Sequence, residues 1–172
     1  MLAPVVPPPA TMEDVNTARD RDERGRPLNA RPRDALGRPL PPGSPGVQRL
    51  PEDLDLAPDD ALTLAQQLID DGRAFYAHEV FESLWKSCAA ERRPLWQGLA
   101  QLAVGVTHLQ RGNRAGAVSL LRRAATQLSQ GGEPPHGIDV SGLIGFADAL
   151  AADVDAGVDI DPHRLRPRLR SA

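Results

Sequence analysis

The sequence predicts an all-α fold: a single bundle of about five helices behind a Pro/Arg-rich, largely extended N-terminal arm. Three observations carry this. Apolar residues recur at helical spacing in five stretches between Pro58 and Ala156. No stretch reads as a convincing strand. Twelve of the 17 prolines lie at or before Pro58, and a segment so built cannot supply core helices. The expected organisation is an arm or linker over 1–51, the bundle over 52–157 and a basic tail over 158–172.

The arm contains a short repeat. Arg21-Asp22-Glu23-Arg24-Gly25-Arg26-Pro27-Leu28 recurs as Arg33-Asp34-Ala35-Leu36-Gly37-Arg38-Pro39-Leu40. Each unit joins Arg-Asp to Gly-Arg-Pro-Leu: a turn residue, a cation, a rigid kink and an apolar anchor. One reading is a disordered basic linker. The other is an extended strap whose Leu28 and Leu40 dock on the bundle's own surface or on a protein partner; the partner itself is unknown.

The first helix opens at Pro58-Asp59-Asp60, with acids where the helix dipole favours them, and stops at Gly72. Leu62, Ala65, Leu68 and Ile69 form its inward face. The second runs from about Arg73 to Ala90. Its wheel places Ala74, Ala77, Phe81, Leu84, Trp85 and Cys88 on one arc. His78 lies inside that arc, Glu82 at its edge, and Glu79, Ser83 and Lys86 toward solvent. Glu91-Arg92-Arg93 is a turn, and Pro94 suits the first turn of the third helix.

That third helix, to Gln110, carries no charge from Leu95 onward. Leu95, Leu99, Leu102, Val106 and Leu109 form one stripe; Trp96, Ala100, Ala103 and Thr107 a second; Gln97, Gln101, Val104 and His108 a third, mostly polar one. A helix apolar on most of its circumference belongs at the centre of a bundle. Gly112-Asn113 ends it, with Asn113 as N-cap of the fourth helix. The fourth, about Arg114 to Ser129, turns Ala117, Leu121, Ala124 and Leu128 inward and Arg114, Arg122 and Arg123 outward. After a Gly/Pro break, Asp139 or Ser141 caps a fifth, Leu143 to about Ala156. The Arg-rich remainder reads as a loose end, with Asp161 capping one extra turn.

Composition narrows the function classes. One cysteine, Cys88, excludes an internal disulfide framework and reads as a core thiol. The first residues lack the basic and apolar regions of a signal peptide, and Leu95–Gln110 is too short and too polar to span a membrane. A cytoplasmic location with no membrane partner is expected. The overall charge of −3 divides into an acidic centre between two basic ends, which does not make a nucleic-acid-binding face.

The order of motifs adds a resemblance. His78-Glu79-x-x-Glu82-x-x-Trp85, then Gln97-Gly98-x-x-Gln101-x-Ala103, then His108-x-x-x-Gly112-Asn113-x-x-Gly116-Ala117 resembles the DUF309 family of small, mostly helical bacterial proteins of unknown function. The likeness covers about residues 66–128. It implies a compact helical bundle and no particular activity.

Buried amides and imidazoles need partners. The polar stripe therefore predicts a cluster of His78, Glu82, Gln97, Gln101 and His108 between the second and third helices. Three readings follow. The cluster is a hydrogen-bonded core network that fixes helix register. It is a metal site, with His78, Glu82 and His108 as ligands of a divalent ion and Glu79 as a catalytic base; the HExxE spacing lacks the second helical histidine of zinc proteases. Or it is a pocket, walled by Trp85, Trp96 and Phe81, for a cationic or hydroxyl-rich molecule. Trp85 is expected in the core and Trp96 partly exposed. The expected function is a non-enzymatic interaction or ligand-binding module with no required cofactor; the alternative is a metal-dependent hydrolase.

Overall fold

The computed structural model describes residues 31–51 and 54–171. Five α-helices follow one another: α1 Pro58–Asp70, α2 Ala74–Ser87, α3 Arg93–Gln110, α4 Arg114–Gln130 and α5 Val140–Asp155. Each packs against its neighbour in sequence, and α3 lies between α2 and α4. No named strand occurs among the described residues.

Two of the turns share one chemistry. Gly72 and Gly112 adopt φ of 73° and 79°. That left-handed step lets the next amide reach back, from Arg73 to the Leu68 carbonyl and from Asn113 to the His108 carbonyl. Both are glycine C-caps that satisfy carbonyls left open at a helix end. Asn113 then accepts from the Gly116 amide and starts α4, while Asp139 accepts from the Gly142 amide and starts α5. The Asp139 cap sets α5 three residues earlier than its apolar pattern alone suggests. The second helix is shorter than expected: Cys88 is already extended, and a 3-10 turn over Ala90–Arg92 leads into α3.

The core is built mainly from Leu, Ala and Val on the five helices, with Tyr76, Phe81 and Trp96 as its large rings. Tyr76 and Val80 belong to it although the α2 wheel left them off its arc. The two tryptophans exchange roles. Trp96 is buried in the core, and Trp85 is only half-buried at its edge. Cys88 is half-buried at the end of α2, packed against the core from its edge.

Gly98 and Gly105 explain how closely α3 and α4 approach. A Cβ on Gly98 would lie 2.8 Å from Leu128 Cγ, and one on Gly105 would lie 3.0 Å from Leu121 Cγ. Both leucines fill the space that the missing side chains vacate.

The C-terminal tail is not a loose end. Leu165, Pro167 and Leu169 are buried while the arginines between them are exposed. That alternation is an extended chain with one face on the bundle. The Gln66 side chain holds it, donating to the Pro167 carbonyl (3.2 Å) and accepting from the Leu169 amide (2.9 Å). Arg170 pairs with Asp59 on α1 (2.7 Å) and forms an isolated bridge with Ile138. The high arginine content hid a period of two.

Candidate functional site

The described part of the arm lies on the bundle as a strap. Its tightest piece is the second repeat unit. Asp34 Oδ1 accepts from the Leu36 and Arg38 amides at 2.9 and 2.8 Å, and Asp34 Oδ2 accepts from Arg38 Nε at 2.8 Å. Arg33 donates to the Gly37 carbonyl (2.6 Å), and Leu40 to the Pro32 carbonyl (2.7 Å). Burial pushes the Asp34 carboxyl up, but the bonds and charge from Arg38 and the Leu36 amide outweigh it and hold the group below its ordinary value.

This turn sits on Phe75. The Arg33 and Arg111 guanidinium carbons lie 5.2 and 5.3 Å from its ring centroid. Gly37 has φ of 74°, and any Cβ there would overlap the Phe75 ring. Tyr76 donates to the Asp34 carbonyl, and Arg111 Nε to the Leu36 carbonyl, each at 2.9 Å. Further on, Ser83 donates to the Leu54 carbonyl, and Val47, Leu50, Leu54 and Leu56 pack against the core. The strap is therefore anchored by Gly37, Asp34 and these later apolar residues. Leu40 is half-buried and does not join that packing; Leu28 lies outside the described residues.

Glu79 is half-buried under this strap instead of facing solvent. Burial raises its carboxyl above the ordinary range, against the opposing charges of Arg33 and Arg49. It lines a cleft with Leu50, Leu54, Ser83 and Lys86.

Beside that cleft, and sharing Glu82 with it, a half-open cavity of about 180 Å³ lies between α2, α3 and α4. His78, Glu82, Trp85, Gln97 and Gln101 line it, with Ala100, Val104 and Leu120 completing the walls. Two helical faces line it: positions 78, 82 and 85 share one side of α2, and 97, 101 and 104 share one side of α3. The polar groups do not close into a hydrogen-bonded network. His78 Nε2 is 3.7 Å from Glu82 Oε2, beyond hydrogen-bond length, and Glu82 Oε1 is paired with Lys86 Nζ at 2.8 Å. His78 Nδ1 and Gln101 Oε1 are buried and have no hydrogen-bond partner among the described residues. Burial lowers the His78 pKa, against the pull of Glu82 and with the help of Lys86, which favours the neutral ring.

His108 does not join them. It lies two turns beyond Gln101 on α3, and its Nδ1 meets Asn113 Nδ2 at 2.7 Å, bracing the α3–α4 turn. That contact also explains Gly116, where a Cβ would lie 2.6 Å from His108 Nδ1. The expected ligands His78, Glu82 and His108 thus fail to converge, and Glu79 faces the strap. Among the described residues no group of three or more His, Cys, Asp or Glu side chains could hold a metal ion. No helix among them is long and apolar enough to cross a membrane.

Residues 62–120, from Leu62 in α1 to Leu120 in α4, match the family model described as domain of unknown function DUF309. That span contains every residue lining the cavity. No curated protein and no solved structure matches the chain.

Proposed function

We propose that this protein is a non-enzymatic module that binds a small, hydrogen-bond-donating molecule in the cavity between His78 and Gln101. One observation carries the reading: two buried, unpartnered polar atoms belong to side chains lining the same cavity. Leaving a buried acceptor unpaired costs about 1–3 kcal/mol. A neutral imidazole with its proton on Nε2 offers Nδ1 as an acceptor, and Gln101 Oε1 is an acceptor already. Both acceptors are closed to water as the chain stands, so a guest that donates to both offsets both costs once the two side chains turn them toward the cavity.

The size and charge of the site narrow the guest. A room of about 180 Å³ is roughly six water volumes, below the usual range for a drug-sized ligand. Trp85 provides an apolar wall and Glu82 a carboxylate at the edge. A guanidinium, a protonated amine or a diol fits this pattern, whereas a phosphate or carboxylate meets Glu82 and two acceptors.

The test uses methylguanidinium and ethylene glycol with the full chain and with Gln101→Leu. The proposal predicts a saturable rise in wild-type Tm with at least one of them, absent in Gln101→Leu. It also predicts that the variant alone is no less stable than wild type, since the substitution removes an unpaired amide oxygen. No shift with either compound, together with a variant destabilised like a core truncation, would mean that the amide serves packing alone.

A further inference from the structure

The repeat in the arm gives the strap more than one ligand for its seat. In the seated unit, the positions the bundle and the turn read are Arg33, Asp34, Gly37 and Arg38. Arg33 lies over Phe75, and the Asp34 carboxylate caps the turn while its carbonyl receives Tyr76. Gly37 passes where no side chain fits, and Arg38 closes on Asp34. Each of these has an identical counterpart in the first unit: Arg21, Asp22, Gly25 and Arg26.

The two units differ at only two positions, Glu23 for Ala35 and Arg24 for Leu36. Ala35 is exposed, so a glutamate there meets water. Leu36 is read through its backbone carbonyl by Arg111, and its side chain does not join the core packing. The differences therefore fall outside the side-chain contacts that hold the second unit in its seat.

We propose that the surface around Phe75, Tyr76 and Arg111 is a peptide seat for Arg-Asp-x-x-Gly-Arg-Pro-Leu, and that Arg21–Leu28 of the same chain takes it when Arg33–Leu40 is displaced. The linkage allows this. From Leu40 to the strap's next anchor at Val47 is 7 residues, and from Leu28 it is 19, so the first unit reaches the seat with slack. Loop closure penalises the longer connection only about four- to fivefold in occupancy. The second unit holds one further tie, the Val47 amide on the Arg33 carbonyl at 2.8 Å, which favours it in the intact chain.

The experiment is amide exchange on the full chain in three forms: wild type, Gly37→Val and Gly25→Val/Gly37→Val. Gly37→Val drives a side chain into Phe75 and unseats the second unit. The proposal predicts that the Arg24, Gly25, Arg26 and Leu28 amides then exchange about tenfold more slowly than the corresponding amides of the double variant. Equal exchange of the first unit in the single and double variants would overturn it. Protection that rises with protein concentration would also overturn it, by assigning the seat to a second molecule's arm. α3 amides report whether the bundle stays folded. If Gly37→Val disturbs them, Arg33→Ala/Asp34→Ala replaces it, with Arg21→Ala/Asp22→Ala added for the double form, and the same comparison decides.

Discussion

Tyr76 on α2 donates its phenolic hydroxyl to the Asp34 carbonyl at 2.9 Å, joining positions 42 residues apart in sequence. The ring is buried in the core and its hydroxyl bonds the strap, so one side chain serves both layers. Removing the hydroxyl should loosen the strap and spare the helices. Tyr76→Phe should cost about 0.5–1.5 kcal/mol of strap docking. Amide exchange over residues 33–40 should accelerate about three- to tenfold, while α3 exchange stays as it was. Equal acceleration in both would show that the hydroxyl supports the bundle itself.

The same turn should release in acid. The folded-state pKa of Asp34 lies below its ordinary value of 3.8, so its contribution is complete above that value and is lost as pH falls through the folded-state pKa. The Leu36 and Arg38 amide resonances, both bonded to Asp34 Oδ1, should move together below about pH 4. In Asp34→Asn no such transition should remain. A transition that persists in the variant would belong to another carboxyl.

The close approach of α3 and α4 makes opposite demands on two similar glycines. Alanine gains about 1 kcal/mol of helix propensity at either position. At Gly98 the new methyl meets Leu128 Cγ at 2.8 Å and the Leu128 backbone nitrogen at 3.1 Å, which cannot both yield. Gly98→Ala should therefore be destabilising by about 1–2 kcal/mol net. At Gly105 the backbone contact is 3.4 Å and only a leucine side chain must shift. Gly105→Ala should fall within about 0.5 kcal/mol of wild type. Urea unfolding of the two variants decides the order.

Leu169 is 1% exposed and belongs to the tail segment that crosses back to α1 and α3. Leu169→Ala should cost about 2–4 kcal/mol, the range for a buried leucine truncated where the surroundings cannot fully collapse. Arg170→Ala removes an ion pair open to solvent on Asp59 and should cost less than about 1 kcal/mol. If the leucine substitution were as mild as the arginine one, the tail would not be part of the core.

Helix-forming stretches and their order were legible because apolar spacing, glycine stops and asparagine or aspartate caps all gave the same answer at Gly72, Gly112, Asn113 and Asp139. That His78, Glu82 and Trp85 share one helical face, and Gln97 and Gln101 another, was legible from their spacing alone. His108 shared that stripe as well. Its rise along α3 and the pull of Asn113 took it to the turn, which a wheel does not represent. Glu79 was misread because α2 is covered by chain from the arm, and amphipathicity within one helix carries no trace of a later layer. The tail's signal, Leu165-x-Pro167-x-Leu169, was present but brief and masked by arginines. The repeat was visible as a pattern, although Gly37 proved to be its anchor and Leu40 did not.

The central claim is that His78 and Gln101 await a donor. The most direct measurement is a titration of the imidazole nitrogen resonances of the four histidines with methylguanidinium. His108, braced by Asn113, and His136, paired with Asp59 at 2.9 Å, act as internal references, along with exposed His163. The account predicts a saturable shift of the His78 resonances alone, centred on Nδ1 and absent in Gln101→Leu. Four histidines that move alike, or a His78 that moves neither with methylguanidinium nor, in a second titration, with ethylene glycol, would contradict it.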